Sequence, residues 1–315
     1  MAESASCLQK GGGLSGRATW GPLMNFGVGT AITHRSISPL ELGPWLEAHG
    51  FESVWFGEHS HLPLLRKSMR RTSGEVSEAF KQFFDPYIAL TAVAAVTRKL
   101  LLGTSISLLT VRHPISLAKV IASLDQISDG RVILGVGAGW NAEEMADYGI
   151  AFENRWKWVR ESVLAMREIW TNDVAEFHGE MVSFDPMWSW PKPIQSGGPP
   201  ILLGAFSPYV ARRIAEYCSG WLPVDQGEAT ERLLTDVRDE FERSGRPLND
   251  LQLTVILNSP VTDNAFAESD DAMIRRIEVL AALGFTRANF VLPSETPSEQ
   301  WPQLERFARI VSRFA

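Results

Sequence analysis

Short apolar runs alternate with amphipathic stretches along almost the whole chain. Strand-like runs lie at 25–29, 53–56, 101–108, 131–136, 200–203, 220–222, 252–257 and 287–292. Several are unbroken Val/Ile/Leu, the pattern of parallel strands covered on both faces. Between them, apolar side chains recur at three- and four-residue spacing. The stripes are Leu42, Trp45, Leu46 and His49; Leu117, Val120, Ile121 and Leu124; Val159, Val163, Met166 and Trp170; Leu234, Val237 and Phe241; and Met273, Ile277, Leu280 and Gly284. Asp85-Pro86 and Ser207-Pro208 predict helix starts, since Asp or Ser caps the free N–H groups and proline fits the first turn. His49-Gly50 and Leu283-Gly284 predict helix ends.

Eight strands alternating with about eight helices predict an α/β fold, a (β/α)8 TIM-type barrel, with an open doubly wound sheet as second choice. Two stretches exceed the minimal barrel, one at 62–84 after strand 2 and one at 172–199 before strand 5. Long excursions in a compact domain are usually functional or disordered. The first follows a strand and is placed at the active-site rim. The second is expected to hold a small hairpin around His178-Gly179-Glu180. Residues 1–23, rich in Gly, Ser and Ala, are expected to be a disordered leader, and 24–315 a single barrel domain.

The chain has 315 residues, 45% of them hydrophobic, which suits one large barrel or two ordinary domains. Its net charge of −7 argues against a nucleic-acid protein. Cys7 and Cys218 cannot form a disulfide framework, so a reducing cytoplasm is expected. No apolar run reaches membrane-spanning length, and the first residues lack a signal-peptide core. Neither a metal-ligand spacing, a Walker loop nor a nucleophile elbow occurs, and no metal is expected.

Chemistry concentrates at predicted strand ends. Phe56-Gly57-Glu58-His59 closes strand 2, where polar side chains of a barrel point into the site. Histidine as a residue type can exchange protons near neutral pH, so His59 suits proton exchange beside a redox ring, or else is a structural histidine. Glu58 reads as an orienting or loop-fixing group. Strand 3 carries Gly103-Thr104-Ser105-Ile106-Ser107, then Arg112-His113-Pro114, and a glycine there marks either a bulge near a ligand or an ordinary buried strand. Strand 4 runs into Gly135-Val136-Gly137-Ala138-Gly139-Trp140-Asn141, whose small residues let backbone N–H groups approach an anion or a flat ring. The last glycine of a dinucleotide fingerprint is missing. Leu203-Gly204-Ala205-Phe206-Ser207-Pro208 offers a phosphate seat at a helix start, or a plain cap. Arg66, Lys67, Arg70 and Arg71 form a basic cluster, either a grip for an acidic cofactor tail or a solvated loop face. Trp20, Trp140, Trp188 and Trp190 are candidates for a planar-ligand pocket or for core.

In order, Gly50 through His59, Asp85-Pro86, Leu102-Gly103-Thr104, Arg112-His113-Pro114, Ala118-Lys119, Asp129-Gly130-Arg131 through Gly139-Trp140, and Gly220-Trp221 resemble the luciferase-like flavin and deazaflavin oxidoreductases. The resemblance runs from Asn25 to Phe314 and is strongest to the branch using the 5-deazaflavin coenzyme F-420. It implies a barrel with an isoalloxazine-like ring in its mouth and a non-proline cis peptide at Ser105–Ile106. It also implies His59 near the ring, Gly137, Ala138, Gly139 and Trp140 beside the cofactor, and Gly204, Ala205, Phe206 and Ser207 on its phosphate. The branch's sugar-phosphate dehydrogenases carry Glu where this chain has Trp140, so that substrate is in question. The expected function is hydride transfer between F-420 and a small organic substrate, with His59 catalytic and Glu58, Ser105 and Ile106 also at the cofactor. The alternatives are a two-component FMN-dependent monooxygenase and a non-catalytic flavin-binding barrel. A homo-oligomer is left open, and no nucleic-acid or membrane partner is expected.

Overall fold

Parallel neighbours need a crossover, and nearly every apolar run in this chain is followed by a helical one. The computed structural model describes residues 24–65, 67–68, 78–257, 269–293 and 296–314. Its strands are β1 (Asn25–Thr30), β2 (Ser53–Phe56), β3 (Leu101–Thr104), β4 (Ser107–Leu108), β5 (Val132–Gly137), β6 (Val174–His178), β7 (Ser183–Trp188), β8 (Ile201–Leu203), β9 (Gly220–Trp221), β10 (Gln252–Ile256) and β11 (Arg287–Val291). The helices are α1 (Pro39–Ala48), α2 (Pro86–Val96), α3 (Pro114–Ser128), α4 (Ala142–Asp147), α5 (Arg155–Thr171), α6 (Val210–Tyr217), α7 (Glu228–Arg243), α8 (Asp270–Ala282) and α9 (Pro297–Val311).

The strands pair in the order β1, β2, β3, β5, β8, β9, β10, β11 and back to β1, parallel throughout. This is the closed (β/α)8 barrel. The third strand is interrupted where the Ser105–Ile106 peptide is cis, and β4 resumes pairing with β5 at Ser107↔Val136. The hairpin expected in 172–199 is the antiparallel pair β6–β7. Its turn is held by Glu161 on α5, which accepts N–H groups of Glu180, Met181 and Val182 at 3.2, 2.8 and 2.9 Å.

Core packing corrects one expectation, at Val120, and decides between the two readings of Gly103. Val120 is exposed, and α3 buries Leu117, Ala118, Ile121 and Leu124 instead. Gly103 does not make room for a ligand. A Cβ there would lie 2.2 Å from the Trp55 ring, which fills the barrel centre against Ile133, Leu202 and Leu222. Below that ring the barrel is closed by polar pairs. Arg287 binds Glu52 and donates to Thr254 Oγ1 at 3.1 Å.

Helix boundaries follow local chemistry. Asp85 caps α2 by accepting from Tyr87 and Ile88 N–H. Gly50 and Gly284, with φ of +80° and +87°, follow α1 and α8 in the left-handed conformation that favours glycine. Asp129 and Gly130 turn the chain after α3 so that Arg131 reaches back. Its guanidinium donates to the carbonyls of Ala94, Thr97, Leu100 and Ser128, tying the root of β5 to the end of α2. Residues 1–23, with Trp20 among them, and Arg66, Arg70 and Arg71 lie outside the described residues.

Candidate active site

A cavity of about 650 Å³ opens at the carboxyl ends of the barrel strands, where one such site is expected on this fold. The end of β2 supplies its most polar wall. Gly57, Glu58 and His59 all border it. Glu58 is 5% exposed and has no free oxygen. It accepts from Ser107 Oγ at 2.8 Å, Leu108 N–H at 2.7 Å and Arg112 Nε at 2.5 Å. Burial pushes its carboxyl above the usual carboxylate range, while Arg112, Ser107 and Leu108 pull against that rise. Arg112 continues to Asp85 at 2.6 Å, the same carboxylate that caps α2. Glu58 therefore fixes β4 and the loop after it, as its loop-fixing reading expects.

His59 has a different role. Its side chain is 5% exposed and its Nδ1 lies 2.7 Å from Glu144 Oε2 on α4. Three rings surround it, Phe80, Phe83 and Trp140, with centroids 5.4, 5.9 and 5.7 Å away. Its other nitrogen, Nε2, has no hydrogen-bond partner among the described residues. The carboxylate fixes the ring's orientation, which leaves Nε2 as the nitrogen available to a bound molecule.

The break in the third strand puts Ser105 and Ile106 on the cavity wall. Ile106 lies between two neighbouring strand ends. A Cβ on Gly137 would fall 2.1 Å from its Cδ1, and one on Gly204 2.3 Å from its Cγ2. Gly137 itself does not border the cavity; it makes space for the side chain that does. Ala138, Gly139 and Trp140 follow on the wall, and Gly139 turns with φ of +79°. Asn141 then caps α4, accepting from Glu144 N–H at 3.2 Å, which sets Glu144 beside His59.

Gly204, Ala205, Phe206 and Ser207 border the cavity from the end of β8. Ser207 is not a helix cap. The chain makes a turn first, with Val210 N–H on Ser207 carbonyl at 3.1 Å, and α6 starts at Val210 with Tyr209 as its cap. The Ser207 hydroxyl is thus buried with no protein partner. Two other residues on the cavity wall share this condition. Thr30 Oγ1 and both side-chain polar atoms of Asn289 are buried and unpartnered. Such groups cost free energy unless a ligand or water satisfies them.

The spacing missed several walls. Phe80 and Phe83 come from the described part of the 62–84 excursion and border the cavity. Phe152, Arg155 and Trp156 come from the start of α5 and the turn before it. Arg155 stacks on Phe152 and Arg213 on Trp156, at 3.6 and 3.9 Å from the ring centroids. Neither arginine forms an ion pair among the described residues. Trp188 and Trp190, read as candidate pocket rings, are 78% and 56% exposed and do not border the cavity. Lys67 is exposed, and its backbone N–H is held by Glu143 at 2.6 Å.

A sequence model of luciferase-like monooxygenases matches residues 39–306. The chain belongs to that family. It is 33% identical over 292 residues to an uncharacterized protein of Mycobacterium tuberculosis, covering 90% of this chain and 98% of the relative. It is 30% identical over 239 residues to an F-420-dependent glucose-6-phosphate dehydrogenase of Nakamurella multipartita, covering 73% of this chain and 66% of that one. Among solved structures, a monooxygenase of Streptomyces bottropensis superposes with a TM-score of 0.73 at 21% identity, covering 93% of this chain and 100% of the other. The coenzyme F-420 dependent tetrahydromethanopterin reductase of Methanopyrus kandleri gives 0.72 at 18%, with coverage of 93% and 100%. The luciferase-like barrel thus carries both F-420-dependent enzymes and monooxygenases.

Proposed function

We propose that this luciferase-like barrel is an oxidoreductase that moves a hydride between coenzyme F-420 and a small organic substrate. The observation that carries this reading is the cavity itself. It joins a carboxylate-held histidine, apolar walls and buried polar atoms without protein partners. The residues suit a flat, polar-edged ring with a phosphate. Cavities of a few hundred cubic ångström hold such cofactors. Ile106, Ala138 and Trp140 offer it apolar surface, and Thr30 and Asn289 offer donors and acceptors. The backbone at Gly204, Ala205 and Phe206 and the Ser207 hydroxyl would hold its phosphate.

When bound, the deazaflavin accepts or gives the hydride. His59 takes up or returns the accompanying proton at Nε2, and Glu144 stabilises the charged imidazole. Phe80, Phe83 and Trp140 keep bulk water from that nitrogen. Arg155 on the cavity wall and Arg213 beside Trp156 supply the cationic surface for an acidic cofactor tail. The relative of Nakamurella multipartita supports F-420 over FMN. Trp140 in the glycine turn, where a glutamate is expected for a sugar-phosphate dehydrogenase, argues for a different and less polar substrate. The domain is residues 24–315 and its setting is the cytoplasm.

Anaerobic assay of the purified protein with F-420 and a panel of alcohols and carbonyl compounds tests this. A deazaflavin absorbance change that needs both protein and one of these substrates is expected. Oxygen consumption with reduced FMN, with no F-420 turnover on any compound, would instead make the chain a two-component monooxygenase.

A further inference from the structure

His59 borders the cavity, where a bound molecule would cover Nε2, yet a group that cycles a proton must exchange it with solvent. Its other nitrogen leads outward through an unbroken series of hydrogen bonds. His59 Nδ1 lies 2.7 Å from Glu144 Oε2. Glu144 Oε1 lies 3.2 Å from Ser60 Oγ, and Ser60 Oγ 2.9 Å from His61 Nδ1. His61 Nε2 lies 2.8 Å from Asp147 Oδ2. Exposure rises along the same path. The side chains of Glu144 and His59 are 2% and 5% exposed, those of His61 and Asp147 40% and 60%.

The arrangement follows from the chain. His59, Ser60 and His61 are consecutive after β2, and Glu144 and Asp147 are three residues apart on α4, hence on one face. The loop thus lays three polar side chains along two carboxylates. Ser60 N–H also donates to Glu144 Oε1 at 3.0 Å, and the Tyr148 ring flanks His61 at 6.1 Å. The neighbouring carboxylate, Glu143, turns away to the N–H groups of Lys67 and Ser68 and takes no part.

We propose that Glu144, Ser60, His61 and Asp147 form a proton relay that connects His59 to solvent while the cavity is occupied. The inference rests on the reading of His59 as the proton carrier. When a substrate hydroxyl is oxidised, its O–H bond breaks and Nε2–H forms on His59. The Nδ1–H bond then breaks and Oε2–H forms on Glu144. The carboxyl turns to present that O–H to Ser60 Oγ, whose hydroxyl swings from Glu144 to His61 Nδ1, and the proton passes to Ser60 Oγ. The serine hydroxyl's own proton goes to His61 Nδ1, and the proton on His61 Nε2 leaves to Asp147 and water. One proton enters and one leaves, with no change of oxidation state along the path. Both imidazoles, His59 and His61, regain their starting tautomers by exchange with water after product departs. Carbonyl reduction runs the same steps backwards. Glu144 and Ser60 thereby do more than orient the imidazole.

Nitrogen-15 NMR of the protein with labelled histidine measures exchange of the His59 ring protons with water and needs no cofactor. Ser60→Ala and His61→Phe should each slow that exchange at least tenfold, with the His59 Nδ1 shift unchanged because the Glu144 pair is intact. Ser60→Thr, which keeps the hydroxyl, should exchange at the wild-type rate, and free imidazole should restore exchange in His61→Ala. Wild-type exchange in Ser60→Ala and His61→Phe would overturn the relay. So would slowing that neither Ser60→Thr nor imidazole reverses, since that is the mark of a merely structural part. His61→Ala with imidazole decides the matter if Ser60→Ala fails to fold. Failure of the reading of His59 is separately visible, as wild-type turnover in His59→Ala.

Discussion

Two glycines one strand apart carry opposite consequences at the scale of single residues. An added Cβ on Gly103 meets Trp55 ring atoms at 2.2 and 2.3 Å, deep in the barrel and with nowhere to go. Gly103→Ala should destabilise the fold by about 3 kcal/mol, the upper range for overpacking, read as a fall in the urea midpoint. An added Cβ on Gly137 meets chiefly the far end of Ile106. Gly137→Ala should keep nearly the wild-type midpoint yet lose cofactor affinity about tenfold, because Ile106 is driven into the cavity. Equal loss of stability in the two variants would contradict this assignment of their roles. His59→Ala should reduce turnover about a hundredfold, the usual cost of a lost acid–base group, with cofactor affinity within a factor of about ten. A wild-type single-turnover rate would return His59 to a structural role. The type of each of these residues was readable in the sequence, but their partners were not. Glu144 is 85 positions from His59 and Trp55 is 48 from Gly103, and spacing along one strand or helix says nothing about contacts between elements.

At the scale of elements, strands and helix ends were readable because apolar period and cap chemistry are local. Asp85-Pro86 does begin α2, and the hairpin at His178-Gly179-Glu180 does form. Ser207-Pro208 carries the same local signal and misleads, because an intervening turn delays α6 to Val210. The hydroxyl left over is more useful to a ligand than a cap would be. Ser207→Asp should therefore weaken cofactor binding at least tenfold while the melting temperature stays near wild type, since no cap is lost. Unchanged affinity would remove Ser207 from the phosphate seat. The start of α4 is clamped to the loop after β2 in another way. The Ser68 hydroxyl and the backbone N–H groups of Lys67 and Ser68 hold the Glu143 carboxyl down to about 2, against an ordinary 4.5. A carboxyl whose folded value is depressed contributes its stability above the unfolded value, and loses it as pH falls through the folded one. Hydrogen-exchange protection of the Lys67 and Ser68 amides should accordingly be full above about pH 4.5 and fade toward pH 2. Glu143→Gln should show no such fade. A protection profile in that window identical for wild type and variant would dismiss the clamp.

At the scale of the whole molecule, the described residues form a closed barrel whose mouth is built by eight strand ends, and this was the most readable level of all. Alternation of strand and helix from Asn25 to Val311 leaves few other architectures. The walls of the mouth were less readable, because Phe80, Phe83, Phe152 and Trp156 come from excursions and helix starts whose path no period dictates. The rim arginines Arg155 and Arg213 belong to this class, and they bear on the central claim, that the cavity is built for an acidic-tailed deazaflavin. Fluorescence titration of the purified protein with F-420 and with FMN under the same salt tests it most directly. Binding of F-420 at least tenfold tighter than FMN, a difference of about 1.4 kcal/mol, is the predicted result. FMN affinity equal to or tighter than that for F-420 would contradict it.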